Sequence, residues 1–364
     1  MRKLSYAIAS TVLVSSFVLL GCGPKADELL LNARTAQEQG VSETQVLDLY
    51  EQAAKAGSAE ASRYLADYYL TRKDYLNAVS HYLAIEKAYP VDFYYNMGRL
   101  YLKGDGIQQD VDKGIELLNK AIVEGESLAA FELGEYYEEQ QQFEKAEEFY
   151  KKSVASNDVR ANLNYAKLIL NKRLPNQEPK VATNLLKSIA ASDENNVAHD
   201  INYEARLLLA QCYVKGLGVD QSYLQADVLA RKLLNQRAYK TRAQVVLAEI
   251  KLRGIDSNAK NEGLNELTTI VTNTANPDAA MLLYKVYRKG LYGYERNIKK
   301  ALHYARIAQA SGSYKADIAL AEMYYDGIGI EQNFSESARY IKNAYEKDPF
   351  NAEVLYWYGR MYAE

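Results

Sequence analysis

One short pattern recurs nine times along this chain, and the recurrence restricts the fold more than length or composition does. A small residue is followed closely by an aromatic or apolar pair. It reads Ala66-Asp67-Tyr68-Tyr69, Gly98-Arg99-Leu100-Tyr101, Gly134-Glu135-Tyr136-Tyr137 and Ala166-Lys167-Leu168-Ile169 in the first half. It continues as Ala210-Gln211-Cys212-Tyr213, Ala248-Glu249-Ile250-Lys251, Ala321-Glu322-Met323-Tyr324 and Gly359-Arg360-Met361-Tyr362. Tyr284-Lys285-Val286-Tyr287 fills the remaining slot with the small residue replaced. Successive spacings are 32, 36, 32, 44, 38, 36, 37 and 38 residues. A period in this range belongs to a solenoid, in which no repeat can bury its apolar face alone and each stacks on its neighbours.

The residues around each anchor have helical spacing, as in Leu128, Phe131, Leu133 and Tyr136. A second amphipathic segment follows each, marked by Ala78, Gly114, Ala146, Ala182, Ala226, Gly263, Ala301 or Ala338. Small residues on both segments predict a tight antiparallel hairpin, with tyrosines filling the gaps between hairpins and sending their hydroxyls to the rim. That accounts for most of the 32 tyrosines without invoking function.

Two kinds of repeat are interleaved. Between Ala66 and Ala78, and between Gly134 and Ala146, the small residues are 12 apart. This resembles the tetratricopeptide repeat, and Pro90 stands where that family places its terminal proline. Elsewhere the gap is 15 to 17, and the added residues carry glycines, as in Lys103-Gly104-Asp105-Gly106, Lys215-Gly216-Leu217-Gly218 and Asp326-Gly327-Ile328-Gly329. These resemble the Sel-one-like repeat, a relative with a longer inter-helix loop. The resemblance runs over about residues 42–364 and implies an all-α fold, a right-handed superhelical solenoid of antiparallel helix hairpins.

The start of the chain reads as an address. Arg2 and Lys3 precede an uncharged, mainly apolar run from Tyr6 to Leu20 that ends in Leu19-Leu20-Gly21-Cys22. The run has signal-peptide length and is short for a membrane span. The ending resembles the bacterial lipobox, which implies a signal peptide over 1–21 and lipidation of Cys22; the alternative is an ordinary secretory signal with an incidental cysteine. More than one acyl chain gives stable anchoring. Gly23 stands where an aspartate would resemble the enterobacterial inner-membrane retention signal, which favours the outer membrane, periplasmic side.

Sequence features divide the chain further. Residues 22–41 are expected to hold the lipidated N-terminus and a lead-in helix, 42–173 an N-terminal repeat arm, 174–202 an irregular loop-containing region and 203–364 a C-terminal arm. That last arm ends on an unpaired helix, either a cap or the edge of a fragment. The irregular region rests on the 44-residue spacing, the Leu174-Pro175 to Glu178-Pro179 stretch and the polar run from Ser192 to His199.

Composition argues against several chemistries. A net charge of −3, which becomes −5 once a leader holding Arg2 and Lys3 is removed, does not suit a nucleic-acid binder that depends on overall basicity. Two cysteines, Cys22 and Cys212, cannot form a disulfide framework, and Cys212 reads as a buried structural thiol. His81, His199 and His303 share no metal-ligand spacing, and no nucleophile elbow occurs. The glycine pairs follow no strand and precede no Lys-Ser/Thr, so they read as helix caps and turns, not phosphate cradles. The chain is therefore expected to have no catalytic residues, metal or cofactor.

Charge is nevertheless sorted. Glu132, Glu135, Glu138, Glu139, Glu144, Glu147 and Glu148 form an acidic block, read as a solvated face. Arg231, Lys232, Arg237, Lys240 and Arg242 form one basic stretch, and Lys285, Arg288, Lys289, Arg296, Lys299 and Lys300 another. Arg288, Lys289, Arg296, Lys299 and Lys300 are the candidate partner-binding residues, for an acidic protein surface or an anionic polysaccharide; a plain solvated face is the alternative.

Residues 284–333 carry a closer resemblance. Tyr287-Arg288-Lys289-Gly290-Leu291-Tyr292-Gly293, Lys300-Ala301-Leu302-His303-Tyr304 and Ala316-Asp317-Ile318-Ala319-Leu320-Ala321 are similar to the later repeats of the AlgK family of alginate-secretion lipoproteins. That resemblance implies a lipid-anchored scaffold for exopolysaccharide export, whose partners are an outer-membrane barrel and periplasmic polymer-modifying proteins. A Sel-one-like lipoprotein that engages host or other envelope proteins is the alternative, and a repeat-scaffold hydrolase a third reading.

Overall fold

A computed structural model describes residues 25–174, 176–192 and 198–362. The leader, Cys22 and Pro175 lie outside the described residues. Within these residues the chain is all helical, as expected: nineteen α-helices and one short 3-10 turn. It forms two compact units, one ending at Ala129 and the other beginning at Ala130.

In the first unit α1 (Ala26–Glu38) pairs with α2 (Glu43–Lys55), α3 (Ala59–Thr71) with α4 (Tyr75–Ile85), and α5 (Pro90–Lys103) with α6 (Val111–Val123). The division falls within α7 (Ser127–Glu139), which α8 (Phe143–Ala155) follows. In the second unit α9 (Val159–Leu170) pairs with α10 (Pro179–Ala191), α11 (His199–Lys215) with α12 (Tyr223–Arg231), and α13 (Lys240–Arg253) with α14 (Ser257–Thr274). Then α15 (Pro277–Lys289) pairs with α16 (Ile298–Ala310) and α17 (Tyr314–Asp326) with α18 (Phe334–Lys347), and α19 (Ala352–Tyr362) packs on both of the last two. The stretch 174–202 contains the regular helix α10, which packs on α9 and α11.

Local chemistry sets these boundaries. Pro90, Pro179 and Pro277 open α5, α10 and α15, where the absent N–H costs nothing. Asn276, Asn297 and Asn333 each accept a backbone N–H at 3.0 Å and cap the helices that follow. The glycine loops are structural. Gly216 ends α11 with φ +65°, and a Cβ on Gly218 would lie 2.4 Å from the backbone of Pro179. Loop α11–α12 thus rests directly on the start of α10, where only glycine fits. A glutamine five residues after the first glycine then locks the loop: Gln109, Gln221 and Gln332 donate to the carbonyls of Leu102, Val214 and Tyr325 at 2.9, 2.9 and 2.7 Å.

The small residues close the hairpins except in the last repeat, where Ser337 and not Ala338 is buried against α17 and Gly359 is exposed. Ala66, Ala166, Ala210, Ala248, Ala301 and Ala321 are all fully buried. Ser337 Oγ on α18 donates to the Ala321 carbonyl at 2.8 Å, which shows how near the two backbones run. Ala301→Phe or Ala321→Phe is accordingly expected to overpack the pair and cost about 1–3 kcal/mol. Denaturant melts superimposable on wild type would mean that the repeat register is misassigned.

The tyrosines follow the expected plan only in part. Tyr82 and Tyr150 are completely buried, and their hydroxyls stop inside the hairpin, donating to Asp67 at 2.7 Å and to Glu138 at 2.5 Å. A phenol buried in an apolar gap needs an acceptor, and the facing helix supplies a carboxylate. Burial and that neighbouring carboxylate push both phenols far above their ordinary pKa.

Candidate interaction surface

In the second unit the first helices of successive hairpins touch directly: α9 meets α11, α11 meets α13, α13 meets α15, and α17 meets α19. Their close approach puts them on the inner side of the curved stack. α9, α11, α13 and α17 bury their small anchors Ala166, Ala210, Ala248 and Ala321 against the hairpin partner. The next residue, about 100° around the helix, points away from that partner. Those residues are Lys167, Gln211, Glu249, Lys285 and Glu322, and all are half-buried or exposed beside buried neighbours. The inner face is thus polar by register.

Ion pairs organise the second unit. Arg242 forks onto Glu204 at 2.7 and 2.9 Å, tying α13 to α11. Arg253 reaches one turn back to Glu249 at 2.7 and 3.0 Å. Lys347 reaches the fully buried Asp317 at 2.6 Å. A long-range contact joins the turn after α9 to the turn after α18: Arg173 pairs with Asp348, and both side chains are largely buried. The Arg173 guanidinium also lies 5.3 Å above the ring of Phe143, which meets Phe350 edge to face at 5.7 Å. Asn351 Nδ2 donates to the Tyr314 hydroxyl at 3.2 Å beside them. The second unit therefore curls until its early and late hairpins meet.

The candidate basic residues are divided by the fold. Lys289, Arg296, Lys299 and Lys300 are exposed around the turn between α15 and α16, with Lys300 Nζ 4.8 Å above the ring of Tyr287. Arg288 turns inward towards α17, its side chain 15% exposed and 3.6 Å from Glu322. In the earlier basic stretch, Arg231 and Arg242 pair with Asp227 and Glu204.

The acidic block is not the solvated face expected of it. Glu132 is buried. Glu138 accepts from Tyr150, and Glu147 accepts from Tyr165 at 2.9 Å and pairs with Lys151 at 2.5 Å. Burial holds the Glu138 carboxyl above the usual carboxylate range. Its neighbours Glu144 and Glu148 are exposed. The helical pattern places these acids on one segment, but only the hairpin decides which ones serve as acceptors for buried phenols.

Other titratable groups have structural partners. Cys212 is buried and free, and burial pushes its thiol up to about 11, so it stays protonated and unreactive at neutral pH. His81 stacks on Tyr69 and lies 3.5 Å from Glu51, and burial lowers its pKa. His199 and His303 stand against Tyr203 and Tyr304. Among the described residues no cluster of three His, Cys, Asp or Glu side chains could hold a metal, and no helix is long and apolar enough to cross a membrane.

Comparison with known proteins agrees with this architecture. The Sel1 repeat model matches residues 91–122, 127–158, 204–235, 277–313 and 315–349, and the tetratricopeptide repeat model matches 47–93. This chain is a Sel1/tetratricopeptide repeat protein. It is 27% identical over 173 residues to an uncharacterised Sel1-like repeat-containing protein of Schizosaccharomyces pombe, which covers 42% of this chain and 25% of the relative. The chain thus spans about a quarter of that relative's length. Among solved structures it is similar to c5321, a protective antigen present in uropathogenic Escherichia coli strains, with TM-score 0.59 and 19% identity over 92% of this chain and 72% of that one. A Sel1 repeat protein from Oxalobacter formigenes also aligns, with TM-score 0.48, 17% identity and coverage of 97% and 98%.

Proposed function

We propose that this Sel1/tetratricopeptide repeat protein is a lipid-anchored scaffold that holds protein partners on the periplasmic side of the outer membrane, within a machine that exports an alginate-like exopolysaccharide. The polar inner face of the second unit supports the binding role, because its side chains are presented by rigid helices at one position per repeat. The Leu19-Leu20-Gly21-Cys22 ending supports the anchor. The observation that carries the export reading is the run from Tyr287 to Gly293 with the helix start after it, where this chain is most like the alginate-secretion scaffolds. A second reading, an envelope lipoprotein that engages host proteins, is favoured by the likeness to a protective antigen.

Cys22→Ser is expected to release the protein from the membrane fraction and abolish palmitate labelling. Unchanged attachment of the variant would defeat the anchor reading. In-cell crosslinking then separates the two roles: recovery of an outer-membrane barrel and a polymer-modifying protein, with lost polymer secretion on deletion, is the expected result. Recovery of host surface proteins alone, with secretion intact, would favour the second reading.

A further inference from the structure

In the second unit the turns that lead from a first helix to its second helix share one edge of the stack, because successive hairpins pack side by side in the same sense. Contacts between loops make that edge continuous. The Arg253 guanidinium at the end of α13 lies 5.6 Å over the ring of Tyr292 in the next such loop. Tyr294 of that loop donates to Asn261 of α14 at 3.1 Å. One hairpin further on, a side chain at Gly329 would run into Ile298 at the start of α16. The early end of the edge is taken up by the meeting of Arg173 with Asp348. Three later loops, α13–α14, α15–α16 and α17–α18, follow one another along the rest.

Apolar side chains and cations project from these three loops together. Ile255 in the first loop is 98% exposed, and Phe334, which opens α18 after the third, is 55% exposed. Between them stand four exposed cations, Lys289, Arg296, Lys299 and Lys300. Glu295 is the one acid from position 289 to position 300, so the middle loop carries four cations against one carboxylate. The flanking loops are not basic. Asp256 accepts the Asn258 and Ala259 N–H groups at 3.1 and 3.2 Å, with half-buried Lys260 after it. Asp326 and Glu331 are exposed at the third loop, while Glu262 and Glu336 are answered by Lys251 and Arg339. Positive charge is therefore local to the middle loop, with one large apolar side chain on either side.

Resting on the anchored reading above, we infer that this edge docks the second unit onto the anionic headgroups of the membrane to which the chain is tethered. The cations of the middle loop meet lipid phosphates, and Ile255 and Phe334 enter the boundary between headgroups and acyl chains. The placing of the two apolar side chains favours lipid over a protein partner. They stand on separate loops with charge between them, so they cannot fill one apolar pocket, whereas a fluid interface admits each by itself. Such contacts are reversible and orient a tethered chain without replacing its tether. Loss of the acyl group therefore still releases the chain from washed membranes.

The test uses the full mature chain with Cys22→Ser, which carries no acyl group, and excess vesicles of phosphatidylcholine with or without phosphatidylglycerol. The expected result is cosedimentation with the anionic vesicles that weakens as salt is raised from about 0.05 to about 0.3 M, since the Debye length shortens below about 8 Å. Lys289→Gln/Lys299→Gln/Lys300→Gln should bind these vesicles about tenfold or more weakly, with an unchanged circular dichroism melt. Ile255→Ser/Phe334→Ser should also lose binding, while Arg237→Gln/Lys240→Gln, at the opposite edge, should bind like the parent chain. An environment-sensitive fluorophore on Ile255→Cys reads insertion directly and guards against a folding defect in the other variants. Its emission should shift to the blue with anionic vesicles, and the same label on Arg237→Cys should not shift. Equal vesicle binding by the two charge variants, no shift at position 255, or binding to a soluble acidic peptide that vesicles do not compete away would overturn the docking edge. Palmitate labelling of the wild-type chain in cells separates the two claims. Vesicle binding without labelling would spare the edge and reject the anchor, and labelling without vesicle binding would spare the anchor and reject the edge.

Discussion

Lys347→Met is expected to destabilise the second unit by about 3 kcal/mol, a typical cost when one member of a buried ion pair is removed. Asp317 has no solvent exposure, and Lys347 Nζ at 2.6 Å is its ion-pair partner. Its other oxygen, Oδ1, is buried with no hydrogen-bond partner among the described residues. Methionine keeps most of the lysine's length and removes its charge, which leaves a carboxylate facing apolar atoms. Lys347 is itself about one-third exposed, so the loss should sit at the lower end of the range for such pairs. Asp317→Asn in the same background should recover much of it, because an amide costs far less to bury than an unpaired carboxylate. Urea unfolding of the four members of this cycle decides the matter. Equal midpoints for wild type and Lys347→Met would show that the pair contributes nothing. Most contacts in a solenoid couple neighbouring repeats, so hydrogen exchange should show the weakening concentrated in α17, α18 and α19.

Arg173→Ala is expected to open the second unit. Most contacts in a solenoid join neighbours, whereas Arg173 and Asp348 are 175 residues apart in sequence. The arginine both neutralises Asp348 and covers Phe143, which in turn meets Phe350. Side-chain exposures of 17% and 10% place the pair in the range where leaving a partner alone costs about 3 kcal/mol. No hairpin depends on this contact for its own packing, so the helices should survive and only the curl should relax. Spin labels at the exposed positions Glu144 and Glu346, which leave Phe143 and Phe350 in place, should report a longer, broader distance distribution in the variant, while far-ultraviolet circular dichroism stays unchanged. A distribution as narrow as in wild type would mean that stacking alone sets the curvature. Arg173→Lys should fall between the two, since lysine keeps the charge but not the planar cover over the ring.

The anchors at Ala66, Ala210 and Ala321, the glycine caps at Gly216 and Gly327, and the inert Cys212 could all be read in advance. Each depends on the helix period or on a backbone conformation that one residue type adopts with ease. The recurring glutamines Gln109, Gln221 and Gln332 were also within reach, because they keep a fixed offset from a glycine. Glu138 and Glu147 were misread as solvated, because a carboxylate that answers a buried phenol carries the same helical register as one that faces water. The basic run beginning at Arg288 looked continuous, yet Arg288 turns towards Glu322 while Lys289 and Arg296 stay outside.

Repeat type and hairpin pairing were determined by sequence alone, because a stacked helical hairpin is built from local contacts whose spacing is written into the period. Curvature was decided only in three dimensions. The meetings of Arg173 with Asp348 and of Phe143 with Phe350 depend on small rotations between successive hairpins that accumulate along the second unit. No local pattern records that sum, so residues far apart in the chain become neighbours without any signal at either end.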